Sequence, residues 1–316
     1  MNNFKKIGLT ALAGSLVATS VYAGEMSVAG SASWRISNHA GTDGGKTMAM
    51  GNQLTFTGGG EMDNGMNVAL SFILDQGDNE LVDDESSNAP FDSHSITVSS
   101  DAMGSIKFAG EGASSAQNTL DTTAAGDIWD NTFASYTKPA NADADKVLTW
   151  TLPSVMDGLG VVTSYNMSSA GKEASIGYAL TFTGVEGLSV SYGFGEVGGN
   201  TAGTTGAEVT TMKASFAFGP ITAAMSINDY DITGASNEEQ SSYNISYSIS
   251  DELSVSYGSE THETTGQTTD EEFDQISVSY TTGGLTASVR QTNADNVTGA
   301  TQTEQSQWNV GLSFAF

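Results

Sequence analysis

Large apolar residues recur at every second position in one segment after another, and almost nowhere at helical spacing. The last eleven residues, from Ser306, show the pattern in full. Trp308, Val310, Leu312, Phe314 and Phe316 alternate with Asn309, Gly311, Ser313 and Ala315. A period of two sends alternate side chains to opposite faces of a β-strand. An apolar strand ending a chain is a hazard, because an unpaired sheet edge invites pairing with another molecule. A sheet closed on itself has no edge, so a closed all-β structure is the expected solution.

The segments can be counted. The first places Met26, Val28, Gly30, Ala32, Trp34 and Ile36 on one face, and the last is the terminal segment just quoted. Between them, runs such as "MNVALSFILD", "ASIGYALTF" and "MKASFAF" bring the count to 16. The connections alternate in length. Short turns ("EMDNG", "DAMG", "GP", "TGG") exchange with long polar loops ("GEVGGNTAGTTGAE", "GSETHETTGQTTDEE"). Even strand number, short turns at one end and long loops at the other describe an antiparallel up-and-down barrel of the outer-membrane type. Its apolar face meets lipid, its small and polar face meets a wet lumen, and every backbone group pairs around the ring.

The front of the chain carries a different signal. Lys5 and Lys6 precede an apolar stretch from Ile7 to Ala18, followed by Val21-Tyr22-Ala23. Small residues two apart fit cleavage between Ala23 and Gly24. The expectation is a secretory leader over 1–23 and one barrel domain over 24–316. Removing Lys5 and Lys6 leaves 8 basic residues against 37 acidic ones, a formal charge of −29 (8 − 37). That balance excludes nucleic acid as a partner and favours cations or neutral solutes. With no cysteine, disulfide staples and thiolate chemistry are excluded. The histidines, His39, His94 and His262, fall in no catalytic or metal-ligating spacing. No cofactor, metal or enzymatic site is expected. The acidic stretch 75–88 lacks the EF-hand spacing and reads as solvated surface.

The chain also resembles a known family, the general porins of Gram-negative bacteria, over its whole length beyond the leader. The resemblance rests on the terminal "GLSFAF", on "GSIKFAGEG" at 104–112 and on "DKVLTWTLPSVMDGLGVVTSYN", in that family's order and spacing. It implies a 16-stranded homotrimeric diffusion channel for small hydrophilic solutes and ions. It implies lipid and lipopolysaccharide as surroundings. It also implies a terminal signal, Phe314 and Phe316, read by the barrel assembly machinery. The outward Gly30 and Ala32 would allow close packing between subunits. A solute-specific channel with a saturable site reads the same way in sequence. A structural or enzymatic barrel would need a plug or a catalytic constellation, and neither is evident.

The connection between Gly110 and Asp145 is too long for an ordinary link unless it has a function. The resemblance implies that it folds into the lumen and narrows it. Strand parity puts Arg35, Lys107, Lys213 and Arg290 on the lumen face, each beside an outward apolar residue. The resemblance sets such basic wall residues against acids on the loop. Here these would be Glu111, Asp121, Asp127 and Asp130, with Trp129 as a packing anchor. Glu111 and Gly112 stand where the family often has a basic residue.

Overall fold

Alternation over sixteen segments requires a sheet with two unlike solvents, and the computed structural model has one. It describes residues 26–40, 45–76, 92–131, 143–144, 146–167, 173–198, 206–297 and 304–316. The strands are β1 (Met26–Ala40), β2 (Gly45–Glu61), β3 (Asn67–Gln76), β4 (Ser93–Ser100), β5 (Gly104–Glu111), β6 (Ala113–Ser114), β7 (Asp143–Ala144), β8 (Val147–Thr151) and β9 (Leu159–Asn166). They continue as β10 (Ser175–Val185), β11 (Leu188–Val197), β12 (Ala207–Phe218), β13 (Ile221–Ile232), β14 (Glu238–Ser248), β15 (Leu253–Thr264), β16 (Glu271–Thr282), β17 (Leu285–Asp295) and β18 (Gln305–Ala315). All but β6 and β7 form one closed antiparallel barrel, each strand pairing with its neighbours in sequence, β5 pairing directly with β8 and β1 with β18. β6 and β7 make a separate two-stranded ribbon. Sixteen barrel strands match the expected number.

The outward face carries the large apolar side chains. Met212, Phe218, Met225, Ile245, Ile276 and Val289 are all substantially exposed. In water such a surface would aggregate; facing hydrocarbon it is the favourable side of the barrel. Among the described residues no helix is long and apolar enough to cross a membrane. Short turns close one end. Phe218-Gly219-Pro220-Ile221 turns through Gly219 at φ 56°, a left-handed conformation that glycine adopts without strain.

The last strand pairs with the first, as closure of the sheet requires. Arg35 pairs with Gly311, Trp34 with Leu312 and Ala32 with Phe314. Gly30 and Phe316 extend the ladder by exchanging two backbone hydrogen bonds of 2.9 Å each. Gly30 is not free for packing between subunits as expected, because the Phe316 ring and Leu54 occupy the space beside it. The expected leader with its Ala23–Gly24 junction, and residues 77–91 of the acidic loop, lie outside the described residues.

Candidate functional site: a segment laid along the inner wall

After β5 the chain does not cross to the next barrel strand at the rim. It turns at Gly112, with φ 62°, and residues 113–131 run along the inner wall. Their contacts reach inward-facing residues of nine consecutive strands. On β9, Ser164 Oγ accepts from Ala116 N–H at 2.8 Å. On β10, the missing side chain of Gly177 leaves room for Ser115 and Ala116. On β11, Gly193 and Gly195 face Gln117 and Leu120. On β12, Thr211 Oγ1 accepts from Gln117 Nε2 at 2.9 Å. On β13 and β14, Ser226 and Ser242 both offer Oγ to Ala124 N–H, at 2.8 and 2.7 Å. On β15, Gly258 faces Ala125. Phe273 of β16 and Ala294 of β17 bury Ile128. Glycine within a strand commonly marks the close approach of another backbone, and here it does so on three strands in this stretch.

The segment holds its own shape by short-range bonds. Thr119 Oγ1 donates to the Ala116 carbonyl at 2.7 Å. Thr123 and Asp127 bond reciprocally: Thr123 N–H donates to Asp127 Oδ1, and Asp127 N–H to Thr123 Oγ1, both at 2.8 Å. Asp127 itself has φ 51°, a conformation aspartate tolerates better than most residues. A 3-10 turn follows at Ile128–Asn131.

The expected site residues divide into groups. Lys107 is exposed on the lumen face of β5, between Thr97 and Thr149. Arg35 on β1 and Arg290 on β17 flank β18, in register with Gly311 and Asn309 respectively. Arg35 borders a recess lined by Ser33, Ala49, Gly51, Ser288, Gly311 and Ser313. Lys213 donates from its ammonium to the Thr122 carbonyl at 2.6 Å, so it tethers the segment. Glu111 is the last residue of β5 and not part of the loop. Asp121 is 2 % exposed, enclosed against the wall where Asn228 Nδ2 donates to its carbonyl. Its burial removes it from the open lumen, where the sequence reading puts it. Asp127 is half-buried. The side chain of Asp130 lies outside the described part. Trp129 does pack against the cluster of Ile128, Phe273, Ala294 and Val297.

Sequence reasoning missed the wall residues that receive the segment: Asn228, Glu260, His262 and Phe273. A signal exists for Phe273 and for two other buried wall residues. Val209, Tyr230 and Phe273 share parity with the small lumen residues and not with Met212, Ile227 and Ile276. A large residue of lumen parity needs something inside the barrel to cover it. Val209, Tyr230 and Phe273 are all fully buried.

Comparison with known proteins follows this geometry. A family model described as Gram-negative porin matches residues 8–316. Among solved structures the chain is similar to the anion-selective porin from Comamonas acidovorans, with a TM-score of 0.72, 12% identity, and 93% of this chain and 100% of that one covered. It is similar to Salmonella typhi OmpF, solved in complex with daunomycin, with a TM-score of 0.71 and 11% identity over 93% of this chain and 98% of that one. A loop-deletion mutant of OmpT from Vibrio cholerae gives 0.68 and 14% over 93% and 99%. At these identities the likeness shows the fold alone. Curated protein sequences give no match.

Proposed function

Starting from the membership of this chain in the Gram-negative porin family, we propose that it is a passive, modestly cation-selective diffusion channel for small hydrophilic solutes and ions. The family and the closed 16-stranded barrel support an outer-membrane channel protein rather than an enzyme. The observation that carries the finer reading is the segment 113–131 on the inner wall. It narrows the lumen from one side, and Lys107 is exposed on the lumen face of β5. A pore of this kind selects by radius and lining charge.

Cation preference rests on this chain's own charges. The fold does not carry the sign, since one similar structure is that of an anion-selective porin. The formal charge is −27 for the full sequence, and fixed negative charge concentrates cations near a narrow passage. Export with cleavage after Ala23, assembly as a homotrimer in lipid and lipopolysaccharide, and recognition of Phe314 and Phe316 by the barrel assembly machinery belong to the same proposal. Single-channel recording in planar bilayers under a potassium chloride gradient tests it. Stepwise conductance with a reversal potential on the cation side supports it. Absence of conductance overturns the channel reading, and saturable flux of one solute would replace the general channel by a solute-specific one.

A further inference from the structure

Glu260 is an anomaly on the lumen face of β15. Its neighbours of the same parity, Ser254, Ser256 and Gly258, are small. In a water-filled barrel a carboxylate can remain hydrated, yet Glu260 is 1% exposed. Burying a charge is unfavourable unless donors replace its water. Three polar contacts do so. Thr123 Oγ1 donates to Oε2 at 2.9 Å and Ile128 N–H to the same oxygen at 3.1 Å. Oε1 lies 2.5 Å from His262 Nε2, which donates to a carboxylate in its Nε2–H form. Two of these contacts come from the lumen segment and one from the wall.

His262 is buried as well, at 2%. Its ring stands edge-on to Trp129 of the segment at 6.3 Å and tilted against Phe273 of the wall at 5.0 Å. Across the strands it pairs with Gln240 on one side and with the buried Glu271 on the other. The imidazole therefore fills the junction between segment and wall and aims its Nε2 at Glu260.

The opposite charge acts on the next residue. Lys213 holds the Thr122 carbonyl from β12 while Glu260 holds Thr123 from β15. Neighbouring contacts through the hydroxyls of Ser226 and Ser242 and the Asn228 amide are neutral. Neutral hydroxyls can exchange the segment for water at little cost. A buried carboxylate cannot, because any shift of the segment leaves it short of donors.

Given the channel reading above, on which this inference rests, we propose that Glu260 and His262 are positioning residues that fix the lumen segment and thereby set the aperture of the pore. Glu260 bonds the segment directly. His262 acts through Glu260, orienting its second oxygen.

The test is single-channel recording on protein purified from the outer membrane, with heat-modifiability as the check of barrel folding. Glu260→Gln and His262→Phe should spread the conductance and raise open-channel noise several-fold in folded barrels. His262→Gln keeps an N–H donor and should stay close to wild type. A covalent tether separates positioning from general stability. A Cβ on Gly258 would lie 3.0 Å from Ala125 Cβ, against about 3.5–4.5 Å in a disulfide, and the chain has no other cysteine. Ala125→Cys with Gly258→Cys should restore quiet, uniform conductance to Glu260→Gln, and reductant should undo the rescue. Should Glu260→Gln not fold, Thr123→Val removes the hydroxyl donor from the segment alone and should raise noise in the same way. Quiet, wild-type conductance in folded Glu260→Gln or Thr123→Val would overturn the proposal, as would a formed disulfide that leaves the noise unchanged. In each of these cases the channel reading stands, whereas a wild type that does not conduct defeats both.

Discussion

The Phe316 ring occupies the space that a side chain on Gly30 would fill, and the two residues exchange both backbone hydrogen bonds at 2.9 Å. Phe316 also stacks on Phe314, with centroids 6.1 Å apart. The last residue of the chain thus completes the ladder between β18 and β1 and needs a bare Cα opposite it. Gly30→Leu should obstruct closure as much as Phe316→Ser weakens it. Both variants should lower the heat-modifiable fraction in the outer membrane. Adding Phe316→Ala to Gly30→Leu should relieve the clash and recover part of that fraction. Full insertion of Gly30→Leu alone would show that this packing is dispensable.

The glycines under the lumen segment make a second prediction. Gly193 faces Gln117 and Leu120, with a Cβ meeting them at 3.3–3.4 Å, and Gly258 meets Ala125 at 3.0 Å. Gly193→Ala should be tolerated with a small shift. Gly258→Leu forces the segment off the wall, at an overpacking cost of about 1–3 kcal/mol, while the strand ladder stays intact. Folded barrels with altered single-channel conductance are expected. Unchanged conductance in Gly258→Leu would place the segment elsewhere.

The contrast between these two sites explains what the sequence revealed and what it hid. Barrel strands are legible because lipid demands an apolar residue at every second position, and a slip of one residue would turn Ile276, Val278 and Tyr280 into the lumen. The lumen face has no such demand. Its docking surface is assembled from Ser164, Gly177, Thr211, Ser226 and Ser242, small residues no different from ordinary lumen lining. They acquire meaning only when nine strands are placed side by side. Lys213 shows the limit of parity. Its inward direction was readable, but its bond to the Thr122 carbonyl depends on a partner some 90 positions away.

Processing gives a third prediction. Val21-Tyr22-Ala23 ahead of Gly24 fits cleavage by a signal peptidase. Intact mass of protein from the outer-membrane fraction should correspond to a chain beginning at Gly24. A chain that retains Lys5 and Lys6 would contradict the leader.

The last prediction concerns selectivity, and the buried state of Asp121 sharpens it. A charge influences permeating ions when it faces the passage within about a Debye length, near 8 Å at physiological salt. Asp121 is enclosed at 2% exposure, whereas Asp127 is half-buried, with Oδ1 held by Thr123 N–H. Asp127→Asn retains that acceptor, so the segment keeps its shape and loses one negative charge. Reversal potential in a potassium chloride gradient should move toward anions. Lys107 is exposed on the lumen face of β5, and Lys107→Glu should move it toward cations. Asp121→Asn should change the reversal potential less than Asp127→Asn. Neutralising an acid in the 75–88 stretch is expected to have a smaller effect as well. Equal shifts for Asp121→Asn and Asp127→Asn would mean that the whole charge of the chain, and not the lumen segment, sets the preference. A wild type that prefers anions would overturn cation selectivity and leave the diffusion channel itself intact.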